Sequence, residues 1–586
     1  MNRPRSNGYS LAVRSSVCAV ALGLWGCNDT ITGPGIGGDN PGASGSAGTG
    51  GSGANGTGGG TGATAGVAGS SGTTGGTGGP GPGGYSIPLQ GVPIRSHFVR
   101  LTHRQWENSV RDLLKLAAVP GLSQSFTGDP PDGTFSNNER RLFVTSGLRG
   151  DYERAAEDLA RRVATDAQAR TAIGATGNAA MFIGAFGRRA YRRPLEAAEQ
   201  QRYEALFASA ATLYTTGDAF ANGVELVVRA MLQSPNFLYR SELGVDAAPL
   251  SSFEVASKLS FLLRDTTPDD ALLDAAGRGE LGTPDAIAQR AQIMMEAVEA
   301  VPVLGRYHSE LFGLSRFETI DKDRTVFQNY TQTMNAELME ADRLFFDGVY
   351  QSGQGLREIL LSTTAFVSAT TAPLYGVSAS GSGLTQTTLG AERPGFFTRL
   401  GFLAYNANLR EPDPIHRGVD IMHRLLCSTL APPPGEIPPL PASMPGQTNR
   451  ERVDAHTRDG VCGGCHTSMI NPLGFAFENF DAIGQLRSTD NGNPVNTADA
   501  YELSSGLVPF SGAPELMAIL AESPDAHACY ARHASEFALA RDMDEADRPL
   551  VNELTVASMS ATGSVKAMLL AVVRSPTFSV RTGGTL

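Results

Sequence analysis

Apolar residues recur at helical spacing over most of the chain. Leu101–Leu116 places Trp106, Val110, Leu113 and Leu114 on one face, with Thr102 as the expected N-cap. The same period returns over Tyr152–Val163, Glu199–Leu213, Ala221–Leu232, Ser252–Leu263 and Ala286–Val298. Two apolar runs stop alike, at Ser234-Pro235 and at Ser575-Pro576. The residue before a proline is steered out of the helical region, so the chain turns at both places. A different pattern appears over Leu486–Val495, where Asn491-Gly492 between short extended runs predicts a β-hairpin. The fold class is therefore mainly α. Helical domains are expected at 96–170, 178–245, 249–375, 390–500 and 505–582, the fourth carrying the hairpin.

The first 90 residues follow no such period. Arg3, Arg5 and Arg14 precede an apolar run, Val17–Trp25, too short to span a bilayer but suited to a signal-peptide core. It ends Leu24-Trp25-Gly26-Cys27, which resembles a bacterial lipobox, so residues 1–27 are expected as a signal peptide with Cys27 as the lipidated residue. Trp25 stands where a small residue is usual, which leaves cleavage without lipid as the alternative. From Gly33 to Gly84, 25 of 52 residues are glycine, and from Ser15 to Ile94 only Asp29 and Asp39 carry charge. Such a stretch cannot bury enough apolar surface to offset the entropy of ordering, so 28–90 is expected as a disordered Gly/Ser/Thr-rich linker. Together these segments predict an exported protein of the periplasm, outer membrane or cell surface, held to the membrane by a lipid anchor only. With 47 basic and 59 acidic residues, a net charge of −12, the chain offers no basic stripe for nucleic acid.

The six cysteines each find a place. Cys18 lies in the signal peptide and Cys27 at its end. Cys462-Gly463-Gly464-Cys465-His466 is the attachment pattern for a c-type haem, so 390–500 is expected as a cytochrome c-like, haem c-binding domain. Each thiol would add to a haem vinyl group and His466 would sit beneath the iron as proximal ligand. Cys427 and Cys529 remain, an even pair in a compartment that permits disulfides, and are expected to be joined. Three other readings of the motif stay open. Zinc could draw on Cys462, Cys465 and His456, although no second Cys-x-x-Cys closes the tetrahedron. A redox dithiol would want a strand-then-helix frame, and the third is a local disulfide. For the distal haem position Met469, three residues after His466, is poorly placed to reach the opposite face, and Met517, Met543, His416 and His456 are the freer candidates. Pro472 could offer its carbonyl to the free ring nitrogen of His466. Glu478 and Asp481, one helical turn apart, read better as a solvated face or a cap than as a catalytic pair. Asp490, Asn491 and Asn493 lack the later glutamate of a calcium loop.

Several strings together resemble the planctomycete-type secreted cytochrome-like proteins, which carry a row of consecutive domains of unknown function. They are Arg100-Leu101-Thr102 with Val110–Leu114, Arg188–Leu195, Leu232–Arg240 and Ser257–Phe261. Further on come Pro414–Cys427, Thr448–Arg452, His456, the haem motif, Asn471–Phe475, Glu478–Asp481 and Cys529–Asp547. Asn471 stands where the family usually has aspartate and Arg264 where it usually has tryptophan. The resemblance implies a haem c-bearing exported protein, often encoded beside a secreted partner. The expected function is electron transfer through one haem, with the helical domains docking a redox partner, a secreted companion or an extracellular polymer. A haem-dependent oxidoreductase and a non-redox surface-binding lipoprotein are the alternatives.

Overall fold

Thr102 starts the first helix of the body, His103–Leu114, by accepting from Gln105 N while the Gln105 side chain accepts from Thr102 N. The computed structural model describes residues 84–581, except 90, 92–96, 131–132, 243–247, 380, 432–434 and 436. The expected signal peptide, Cys27, residues 28–83 of the linker and the prolines at 432–434 lie outside the described residues. The described chain is mainly helical, and its strands form four two-stranded antiparallel ribbons.

Two apolar cores organise the five helical segments. In the first, helices Ser146–Thr165, Ala179–Tyr191 and Ala219–Leu232 pack with His103–Leu114 around Trp106, Tyr152, Phe186 and Val227. A ribbon closes this unit: His97–Arg100 pairs with Tyr239–Glu242, bringing Val99 opposite Arg240. The segments expected at 96–170 and 178–245 thus share one core. The segments expected at 249–375, 390–500 and 505–582 share the other, which runs continuously from Leu259 through Phe346, Phe402 and Leu473 to Met568.

The expected linker is corrected at its end. Tyr85, Ile87 and Leu89 alternate with exposed residues and are buried in the second core. Tyr85 OH donates to Asn552, Arg532 and Arg548 donate to the carbonyls of Pro88 and Ile87, and Gly91 N donates to Met543 O. Three apolar side chains at period two suffice to dock an extended segment on helices Pro524–Leu539 and Arg548–Met559.

The two Ser-Pro stops also serve as starts. Ser234 and Ser575 each stand at the N-cap of a short helix, Pro235–Leu238 and Pro576–Ser579, with proline in the first turn where its missing N–H costs nothing. The Asn491-Gly492 hairpin forms between Thr489–Asp490 and Asn493–Pro494, both turn residues having positive φ. A longer ribbon, Ala498–Leu503 with Gly506–Ser511, follows it and crosses the expected boundary near 500–505.

Candidate haem-attachment site

Helix Asn449–Thr457 begins with a Thr448/Glu451 capping box. After Gly460, at φ +64, a short helix Gly460–Cys465 carries both motif thiols on the surface. The chain then passes through a π-turn, His466–Ile470, into the helix Asn471–Phe475. Such π-turns are frequent at functional sites because they re-aim a side chain within a helical run. The two motif glycines differ. A Cβ on Gly463 would come within 2.2 Å of Arg458 O, whereas Gly464 faces open space.

His466 is half-buried, and its ring is aimed by a chain of hydrogen bonds. Thr457 Oγ1 donates to Val453 O at 2.8 Å, so it receives Asn471 Nδ2 as an acceptor, also at 2.8 Å. That fixes the amide with Oδ1 toward His466, where it accepts from Nδ1 at 3.0 Å. The proton is thereby held on Nδ1 and the lone pair left on Nε2, the form in which imidazole ligates a metal. Sequence reasoning offered the Pro472 carbonyl for this role. Asn471 takes it instead, since Pro472 lies in the first turn of the following helix and its carbonyl points along that helix axis. The signal for Asn471 was its place five residues after His466; Thr457, fourteen residues earlier than Asn471, gave none.

The π-turn is locked from below by helix Pro414–Leu426. Arg417, wholly buried, donates to the carbonyls of Leu403, Asn406, Phe477, Phe480 and Asp481. Burial lowers its pKa to about 10, and the five carbonyls satisfy its donors without an ion pair. Glu478 is buried rather than solvated. Burial raises its pKa, against the opposing pull of Arg487, which donates to it at 3.0 Å, and of Arg417. Arg487 also holds Asp490 at 2.7 Å, and Asn449 reaches both acids, so helix Asn449–Thr457 and the hairpin are tied together. Asp481 accepts from Ile483 N and Gln485 N and caps the turn that follows. Glu478 and Asp481 are thus occupied in holding the chain.

Of the distal candidates, Met517 and Met543 are fully buried in the second core and Met469 packs against it. His416 is bound to Asp413 at 2.6 Å and His456 to Pro438 O at 3.1 Å. In this domain Met444 is the exposed methionine, on the segment that Asn491 holds through the Met444 carbonyl. Among the described residues, Cys462, Cys465 and His456 do not converge on a metal-sized site; the group that does is Cys427, Cys529 and His533. There the two sulfurs are joined as a disulfide, linking the end of helix Pro414–Leu426 to helix Pro524–Leu539, with His533 Nε2 at 3.5 Å from Cys427 Sγ.

Two exposed thiols one helical turn apart, followed by an oriented histidine, have the donor chemistry that a covalently held haem requires. The fold and the site define a mainly helical multi-domain chain with one Cys-x-x-Cys-His turn. Five family models, each described as a protein of unknown function, match it in a row: DUF1587 over 100–165, DUF1595 over 178–242, DUF1592 over 250–377, DUF1588 over 393–490 and DUF1585 over 508–578. This succession of planctomycete-type domains supports the multi-domain family. No curated protein and no solved structure matches the chain.

Proposed function

We propose that this chain is an exported c-type haem protein that passes electrons through one haem c, covalently held by Cys462 and Cys465, with His466 as proximal ligand. The observation that carries the reading is the Val453–Thr457–Asn471–His466 relay, which leaves Nε2 unprotonated beside two free surface thiols. Bound there, haem would supply a one-electron couple whose potential depends on its axial ligands and their hydrogen bonds. In this reading Asn471 holds the proximal ring and Gly464 leaves the space beside the thiols clear. Surface placement of the thiols suits exchange with a redox partner or secreted companion that docks on the helical segments. Export, and lipid attachment at Cys27, belong to the same proposal. No described helix is long and apolar enough to cross a membrane.

The test is the mass and visible spectrum of the full chain exported from a host with c-type haem maturation. A mass gain of one haem, with a reduced-state absorption band that survives denaturation and is lost in Cys462→Ala/Cys465→Ala, is expected. Ready binding of carbon monoxide or cyanide would move the reading to a haem-dependent oxidoreductase. Absence of haem in the matured protein would leave a non-redox surface-binding lipoprotein with an extracellular polymer as its ligand.

A further inference from the structure

A cavity of about 430 Å³, distant in sequence from the thiol motif, opens where the His97–Arg100/Tyr239–Glu242 ribbon meets helix Ser252–Leu263 and the chain after helix Pro524–Leu539. It is rich in cations, and most are paired. Arg193 holds Glu199 at 2.8 Å, Lys258 holds Glu242 at 3.1 Å, Arg541 holds Asp547 at 2.6 Å and Arg581 holds Glu254 at 2.7 Å. Arg192 is occupied by the carbonyls of Ala190, Asn236, Phe237 and Tyr239.

Arg240 is the exception. Arg240 lines the cavity, and its Nε and Nη2 are buried without a hydrogen-bond partner. Its Cζ lies 5.1 Å over the Phe261 ring, and Arg192 Cζ lies 5.7 Å from the same ring, so two guanidinium groups share one aromatic ring. Of the three carboxylates whose fields reach Arg240, Glu242 is held by Lys258 and Asp265 by Arg104 and Arg306, and Glu139 is the third. A second polar group is also without a partner. Ser257 lines the same cavity, and its Oγ is buried and unbonded.

A guanidinium edge buried with no acceptor is costly, because its water has been removed and nothing has replaced it. The two unbonded nitrogens are the parallel donors of one guanidinium edge, the edge that receives both oxygens of a carboxylate. The cavity is within the size range of small-molecule sites. We propose that it binds a small carboxylate-bearing ligand of sugar-acid size, held side-on by Arg240 with Ser257 as a second contact. The site is independent of haem.

Titration calorimetry and thermal melts on the full chain, with glucuronate, glucose and inorganic phosphate as probes, test this. Saturable glucuronate binding with a raised Tm, and none with glucose, is expected. Arg240→Lys keeps the charge but loses the fork, and should weaken glucuronate by about tenfold or more, as loss of a charged hydrogen bond does. Ser257→Ala should weaken it by a smaller factor. Arg240→Gln removes an uncompensated buried cation, so its Tm without ligand should equal or exceed that of the parent. No saturable glucuronate binding, equal affinity in Arg240→Lys, or phosphate binding tighter than glucuronate would each overturn the assignment.

Discussion

His466 Nδ1 donates to Asn471 Oδ1 at 3.0 Å, and the amide cannot turn over because Thr457 holds its other end at 2.8 Å. One side chain therefore decides which nitrogen of the motif histidine is free.

Removing that acceptor should be visible before any haem is attached. In the apo chain, nitrogen NMR of His466 should show the Nδ1–H tautomer, and Asn471→Leu should give a mixture of both. In the haem-loaded protein, Asn471→Asp puts a charged acceptor on the ring, raises its basicity and should lower the reduction potential. An unchanged tautomer in Asn471→Leu would remove the relay from the account of the site.

The turn that carries His466 rests on two glycines. A Cβ on Gly474 would lie 1.8 Å from Pro414 O, and one on Gly418 would lie 2.1 Å from Ile470 O. In both cases the obstacle is backbone, which cannot swing aside. Gly474→Ala and Gly418→Ala should each cost about 1–3 kcal/mol or more in urea unfolding, as overpacking of a closed helix crossing does. Gly464→Ala, facing open space, should cost far less. Equal stabilities across the three variants would contradict the close crossing.

Much of this was readable because the deciding residues are neighbours in sequence. Thr102 and Gln105, Thr448 and Glu451, and Asn491 with Gly492 state their cap or turn within four positions. Where the decision depends on distant partners, local pattern fails. Nothing near Val99 says that it pairs with Arg240 in a ribbon that ties two helical segments together. The ribbon Ala498–Leu503/Gly506–Ser511 was hidden by Pro509, which argues against a strand but is tolerated in a two-stranded ribbon, where both strands are edges. Glu478 looked solvated because its partners, Arg487 and Asn449, arrive from two other elements.

Helix Pro414–Leu426, which supports the π-turn, has a pH-dependent start. Asp413 caps it through His416 N and binds His416 Nδ1 at 2.6 Å. The hydrogen bond to Asp413 raises the His416 pKa. Burial pushes the Asp413 carboxyl up, but the His416 contact and charge outweigh it and the net pKa is lowered. A raised histidine adds stability that is complete below its ordinary pKa of about 6.5 and lost as pH climbs through the folded value. The lowered carboxyl adds stability above its ordinary range and loses it as pH falls through the folded value. His416→Ala should therefore destabilise most in mildly acidic solution, by no more than about 1 kcal/mol for so exposed an imidazole, and the difference should vanish in alkali. A difference that grows toward alkaline pH would contradict the pairing.

Cys427 and Cys529 are joined across 102 positions, and the loop they close contains the whole Cys462–His466 turn, the hairpin and the Ala498–Ser511 ribbon. Closing so long a loop removes much freedom from the unfolded chain, and loss of such a bond typically costs about 2–5 kcal/mol. Cys427→Ser/Cys529→Ser should fall in that range by urea unfolding. The comparison belongs in a Cys462→Ser/Cys465→Ser background, where no other thiol in the body of the chain can exchange or take up haem. The folded side should change little, since Cys427 ends its helix at φ +49 with either residue and both positions are buried among apolar neighbours. The loss should therefore appear mainly as a shift of the unfolding midpoint, with native circular dichroism preserved. A loss well below 1 kcal/mol would mean that the loop is already restrained in the unfolded chain, and that the second core, rather than the disulfide, holds the motif domain on the C-terminal helices.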